Sequence, residues 1–292
     1  MRGRFGICLL IFALIAAVAS DPVHAQNTAP KGKPAGSKGG GAVAATAASD
    51  APTALKAAAD ALGMLRGPNR IDAINTMEFW GSGTSYSGGQ AYKTDYHVAL
   101  GYDPPGMRVE IKRTGAKGGA AERILQVVND KYSWNETEIG SGLAGGKGSA
   151  TPAAGAFESR SLQLWTLPYG AIKAGMAAGE KAKLSVENGA TVITFPLSGQ
   201  LAGITLKVTL GAKSLVTKVE AQSDKPTPDM ITQTDYSTYA DRGDITSDLQ
   251  FPGHIIQKQG DKIVLDVMIK MDDPNNPFLI FPAPDSVMSA GK

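Results

Sequence analysis

The stretch L249-QFPGHIIQKQGDKIVLDVMIKM-271 decides the fold. Ile263, Leu265, Val267, Ile269 and Met271 alternate with mostly polar residues, a period of two that predicts a strand with one face in a core. Gly260-Asp261 ahead of it is a turn pair, so 249–259 and 262–271 read as the two arms of a hairpin. His254 follows the Phe-Pro-Gly entry of the first arm. Its neighbourhood is explained by hairpin packing, and the sequence offers no partner residue that would make it a catalyst.

The same period recurs upstream. Met107, Val109 and Ile111 alternate with Arg108, Glu110 and Lys112, and Ile204, Leu206, Val208 and Leu210 alternate with Thr205, Lys207 and Thr209. Asn129-Asp130, Asn188-Gly189 and Gly211-Ala212 punctuate the runs, and Asn-Gly between alternating runs is the strongest short hairpin signal. The predicted strands are 71–84, 91–101, 106–114, 121–129, 131–139, 181–187, 190–197, 203–210, 214–222, 229–240, 249–259 and 262–271. Short connections imply an antiparallel meander. Two helical segments break the period. Asp50–Leu62 has Asp50 as N-cap, Pro52 in its first turn, a Leu55, Ala58, Ala59, Leu62 stripe and Gly63 as stop. After the Gly-rich loop 140–155, Leu162, Trp165, Tyr169, Ile172 and Met176 recur at spacings of three and four. Pro168 predicts a break near Leu167. The inner face of the sheet is the large apolar surface on which these helices can pack. The expected class is therefore α+β: a long curved antiparallel sheet of about 10–12 strands, an incomplete barrel, with helices on its concave face. Residues 50–290 form one such domain.

The N-terminus has Arg2 and Arg4, an apolar run Ile7–Val18 and the small-residue site Val23-His24-Ala25, the pattern of a secretory signal peptide cleaved after Ala25. The apolar run is too short to span a bilayer. Export to the periplasm or exterior is expected. Cys8, the single cysteine, leaves with the signal, which removes disulfides and thiolate chemistry from the mature chain. Residues 26–49, rich in Gly, Ala, Pro and Lys, read as a disordered linker. Removing the signal leaves 27 basic and 26 acidic residues, too balanced to suggest nucleic acid as a partner.

Motifs for chemistry are weak. His97 and His254 stand about 157 residues apart, with no His-x-His or His-Glu-x-x-His pair for a metal. Gly142–Ser149 lacks the Walker spacing, with Ser141 where glycine is needed and Gly148 where Ser or Thr is needed. Asp241, Asp244 and Asp248 cluster without an EF-hand spacing. No cofactor, metal or catalytic residue is expected, and the chain is read as a non-enzyme.

The segment "LGMLRGPNRIDAINTMEFWGSG" and the segments "TPDMITQTDYSTYADRGDI" and "LQFPGHIIQKQGDKIVLDVMI" resemble the opening and the end of an N-terminal accessory domain that precedes the catalytic domain of some secreted metallo-β-lactamase-fold hydrolases. That domain is itself similar to the lipoprotein-carrier fold. The resemblance spans roughly 52–285 and implies an open β-barrel module. "FLIFPAPDSVMSAGK" is similar to the lead into a zinc domain, but no zinc-binding signature follows.

On 71–84, Met77, Phe79, Gly81 and Gly83 share a face, and the two glycines leave space that a helix or a ligand must fill. The expected ligand-binding set is Met77, Phe79, Gly81, Gly83, Leu162, Trp165, Tyr169, Ile172 and Met176. It would hold a lipid or other apolar molecule in the half-barrel groove. The alternative is an envelope interaction or assembly module whose groove its own helices fill and which docks a protein partner.

Overall fold

The structure, a computed structural model, describes residues 48–115, 119, 121–226, 230–241 and 248–290. The expected signal peptide, most of the expected linker, and Asp244 of the acidic cluster lie outside the described residues. In chain order the elements are α1 (Ala51–Ala61), β1 (Leu65–Arg66), β2 (Ile71–Asp72), β3 (Thr76–Ser87), β4 (Gln90–Tyr102), β5 (Pro105–Gly115), β6 (Glu122–Asn129), β7 (Ser133–Glu136), β8 (Ala150–Pro152), α2 (Phe157–Thr166) and α3 (Pro168–Ala178). Then follow β9 (Lys183–Glu187), β10 (Ala190–Pro196), β11 (Ile204–Leu210), β12 (Val216–Ser223), β13 (Gln233–Ser237), β14 (Ala240–Asp241), β15 (Gln250–Phe251), β16 (His254–Gln259), β17 (Lys262–Pro274) and α4 (Asp285–Ala290).

Thirteen strands form one antiparallel sheet in the order β8-β7-β6-β5-β4-β3-β17-β16-β13-β12-β11-β10-β9. It is curved and does not close into a barrel. The order corrects the simple meander expected from short connections. One meander runs from β3 out to the edge strand β8, and α2 and α3 then carry the chain to the opposite edge, β9. A second meander returns to the centre, where β17 pairs with β3. The helices touch strands of both halves, α2 on β5, β6 and β12 and α3 on β10 and β12, so the sheet wraps around them.

Local chemistry explains most boundaries. Asp50 accepts from the Thr53 amide at 2.8 Å as the cap of α1, and Leu55, Ala58, Ala59 and Leu62 are buried. Asn188 and Gly189 both have positive φ, the geometry of a type I′ hairpin turn between β9 and β10. Leu167 is extended and separates α2 from α3 as Pro168 dictates. Other boundaries differ from expectation. The predicted strand 71–84 is cut by Ala73–Asn75, so Ile71–Asp72 pairs with Leu65–Arg66 instead of joining the main sheet. Pro252-Gly253 splits 249–259, and Ala240–Asp241 with Gln250–Phe251 forms a separate two-stranded ladder. The 140–155 loop contributes the edge strand β8. A register shift between Ile269 and Met271 turns Met271 to the outer face opposite Trp80, where it is exposed; Ile263, beside the turn at the other end, is exposed too, so the expected alternation holds for Leu265, Val267 and Ile269 alone.

The inner face and the helices form one continuous apolar core. A smaller cluster sits on the outer face, where Ala99, Val127 and Trp134 meet Phe281 and Val287. The C-terminal segment that resembles a lead into a zinc domain therefore folds back onto this sheet and belongs to it.

Candidate binding cavity

The nine residues expected to form the groove divide. Met77, Phe79, Leu162, Tyr169 and Ile172 are all buried in the main core. Phe79 stacks obliquely on Phe251 at 5.0 Å between ring centroids, and Tyr169 donates to the Gln250 carbonyl at 3.0 Å. Met176 is exposed: in the last turn of α3 the chain leaves the core, and Gly175, three residues after the buried Ile172, takes the inward position against Leu55 and Phe195. At Gly81 and Gly83 neither a helix nor a ligand fills the space: β17 backbone does. A Cβ on Gly83 would lie 2.0 Å from the Asp266 carbonyl oxygen, and one on Gly81 would lie 2.8 Å from that of Met268. Of the nine, Trp165 alone lines the cavity described next.

That cavity, about 710 Å³, lies at one end of the half-barrel between the helices and both halves of the sheet. Its helical wall is apolar, made by Leu164 and Trp165 of α2 and Ala174, Ala177 and Ala178 of α3. The alanines leave the room, since a larger residue at those positions would fill it. Val128 of β6 and Leu197 and Leu201 beyond β10 form the facing walls. Gln200 donates to the Asp130 carbonyl at 2.6 Å and ties the turns of the two sheet halves across the opening.

The polar groups gather to one side. Lys173 forms an ion pair with Asp72 and stands 5.1 Å from the Tyr102 ring centroid. Tyr102 also packs on Trp165 at 5.9 Å. Its hydroxyl is buried without a well-aligned hydrogen-bond partner. Burial raises its pKa well above the usual phenol range, the Gly170 amide offsets part of this, and Asp72 adds to it. Tyr102 is therefore a neutral donor beside a lysine. Asp103, Asp130 and Lys181 line the outer part. The arrangement suits one molecule with an apolar body and a polar end, within the usual size of ligand cavities.

Neither histidine is isolated, which corrects the expectation that His254 lacks a partner. His254 Nε2 lies 2.7 Å from Asp266 Oδ1, and Nδ1 lies 3.4 Å from Ser237 Oγ. The three residues come from β17, β16 and β13, side by side only because those strands are neighbours. They sit on the outer face and do not line the cavity. His97 lies between Glu78 (2.7 Å) and Glu110 (3.4 Å) with Trp80 stacked on its ring at 4.7 Å. Burial alone would raise the Glu110 pKa, but bonds from Arg123, Lys112 and His97 outweigh it and lower that pKa. Both groups are cross-strand polar pairs on a solvated face. Among the described residues no cluster of three His, Cys, Asp or Glu is placed to hold a metal. No helix among them is long and apolar enough to cross a membrane.

The Gly-rich loop is shaped by Ser141 rather than by a phosphate. Fully buried, Ser141 Oγ donates toward the Glu138 and Lys147 carbonyls and accepts from the Glu138 amide.

No family model matches the chain, and no curated protein matches it. Among solved structures, a DUF1329 family protein from Desulfovibrio piger ATCC 29098 aligns with 76% of this chain and 90% of its own, at 9% identity and a TM-score of 0.41. LprF from Mycobacterium bovis aligns with 80% of this chain and 96% of its own, at 10% identity and a TM-score of 0.31. Such scores are too low to inform function. Neither is described as a metallo-β-lactamase-fold hydrolase, and that part of the resemblance is left without support.

Proposed function

We propose that this protein is a non-catalytic binding protein that holds one lipid-like or other amphiphilic molecule at the open end of its half-barrel. The cavity walled by Leu164, Trp165, Ala174, Leu197 and Leu201 carries this proposal. The apolar walls would take a chain or ring system, and the Lys173–Asp72 pair would face its polar end. The signal-like N-terminus supports a site of action outside the cytoplasm. The concave face itself is occupied by the protein's own helices, so the ligand site is the space left at one end rather than the whole groove.

A fluorescent fatty acid such as cis-parinaric acid should bind the purified protein saturably. Ala174→Trp places a large ring in the cavity at a half-buried position and should weaken that binding tenfold or more while leaving the unfolding midpoint nearly unchanged. A tenfold loss is about 1.4 kcal/mol. Saturable binding that Ala174→Trp leaves untouched would put the ligand elsewhere, and absence of saturable binding would remove the proposal.

A further inference from the structure

The segment after β17 runs along the rim of the cavity. Asn275 begins it: its side chain accepts from the Asn75 amide at 3.0 Å, and its own amide donates to the Thr76 carbonyl at 2.9 Å. Thr76 Oγ1 also donates to the Asn276 carbonyl. At the far end, Asn129 donates its side-chain amide to the Phe281 carbonyl at 3.1 Å, and the Phe281 ring covers Gly106. Asn75, Gly106 and Asn129 all line the cavity. The strap is thus pinned at both ends to residues of the mouth.

Between the pins the side chains divide. Phe281 is buried and Leu279 half-buried, whereas Phe278 is 86% exposed and Ile280 70% exposed. These are the most exposed aromatic and one of the two most exposed aliphatic side chains among the described residues. Two large apolar groups held in water on a strap tied at both ends, beside the opening of an amphiphile-sized cavity, call for a partner. Single exposed apolar residues are ordinary; what distinguishes this pair is a strap whose two ends are tied to residues that line the cavity.

We infer that Phe278 and Ile280 form a membrane-docking wedge that seats the cavity mouth on a lipid surface for uptake or delivery of the bound molecule. The charges around the rim are mixed. Asp72, Asp103 and Asp130 stand against Lys173 and Lys181, so the fitting surface is a zwitterionic one rather than a strongly anionic one. Shallow insertion of an aromatic and a branched aliphatic side chain is the usual means of contact with such an interface. The role of the wedge in loading rests on the cavity being the ligand site. Docking itself is measured separately.

The test is co-sedimentation of the purified protein with phosphatidylcholine vesicles. The wild-type protein should partition to the vesicles. The Phe278→Ser, Ile280→Ser double variant, altered at solvent-exposed positions, should partition at least tenfold less while keeping its affinity for the fatty-acid probe in solution. The fluorescence of Phe278→Trp should be quenched by phosphatidylcholine with brominated chains. Equal sedimentation of wild type and double variant, absence of sedimentation, or no quenching of Phe278→Trp would each overturn the wedge, leaving a protein partner as the reason for the exposed pair. Ala174→Trp that loses probe binding but still sediments confirms that the two functions are separable.

Discussion

Gly83→Ala should destabilise the protein by about 3 kcal/mol or prevent folding, the upper end of what overpacking costs. The added Cβ would fall 2.0 Å from the Asp266 carbonyl oxygen and 2.8 Å from the Val267 Cα. Carbon contacts normally begin near 3.5 Å. Both neighbours are backbone atoms of β17, and β17 is held in place by its pairing with β3 on one side and β16 on the other. Relief therefore means prying apart the seam where the first and last strands of the sheet meet, and no side chain can rotate away instead. Gly88 is the control. Its φ is +56° and nothing lies within 4 Å of a Cβ there, so Gly88→Ala meets only the left-handed backbone penalty, about 1 kcal/mol. Denaturant unfolding of the two variants should separate them by at least about 2 kcal/mol. A Gly83→Ala protein as stable as the wild type would mean that Val267 and Gly83 are not paired in this register.

The seam also shows where sequence reading stops. Alternation in "IVLDVMI" states that Leu265, Val267 and Ile269 share a face, and they do share it. Alternation does not state which strand lies alongside. The pairing of β17 with β3 joins residues nearly 200 positions apart, and short connections misleadingly suggested a plain meander. The helical spacing of Leu162, Trp165, Tyr169 and Ile172 was legible and so was the break before Pro168. Met176 departs from that face because α3 leaves the core in its last turn, where Gly175 faces inward instead. The twin glycines were correctly singled out as a place of close approach, but glycine spacing cannot tell whether backbone, helix or ligand approaches. The cavity was the least legible part. Small residues on α3, Ala174, Ala177 and Ala178, create it, and a stretch of alanines in a helix reads equally as tight packing. Tyr102, Lys173 and Asp72 come from three separate elements, and no local pattern joins them. In sequence the strap resembles a lead into another domain, and "FLIF" is apolar throughout, so nothing in it marks which side chains face the sheet.

Glu136→Leu is expected to cost about 3–5 kcal/mol, the range for breaking a buried ion pair by removing one partner. The Glu136 side chain is 1% exposed. One oxygen accepts from Trp134 Nε1 at 3.0 Å; the other accepts from Arg108 Nε and the Gly140 amide, both at 3.2 Å. Leucine has a similar bulk and packs against the same apolar neighbours, but it leaves three donors, one of them charged, without their protein acceptor. The Gly-rich loop and the C-terminal strap both rest on this site, the first through Gly140 and the second through Phe281, whose ring centroid lies 5.6 Å from the Arg108 guanidinium carbon. Loss of the carboxylate should therefore loosen the strap as well as lower global stability, and hydrogen exchange at the 278–281 amides should quicken before the rest of the sheet opens. Adding Arg108→Met to Glu136→Leu removes the stranded charge, and the double variant should recover a good part of the loss. If Glu136→Leu alone unfolds at the wild-type denaturant concentration, the buried carboxylate is not what fastens the loop and the strap to the outer face. If Arg108→Met gives no recovery, the cost lies with the Trp134 and Gly140 donors instead of the ion pair.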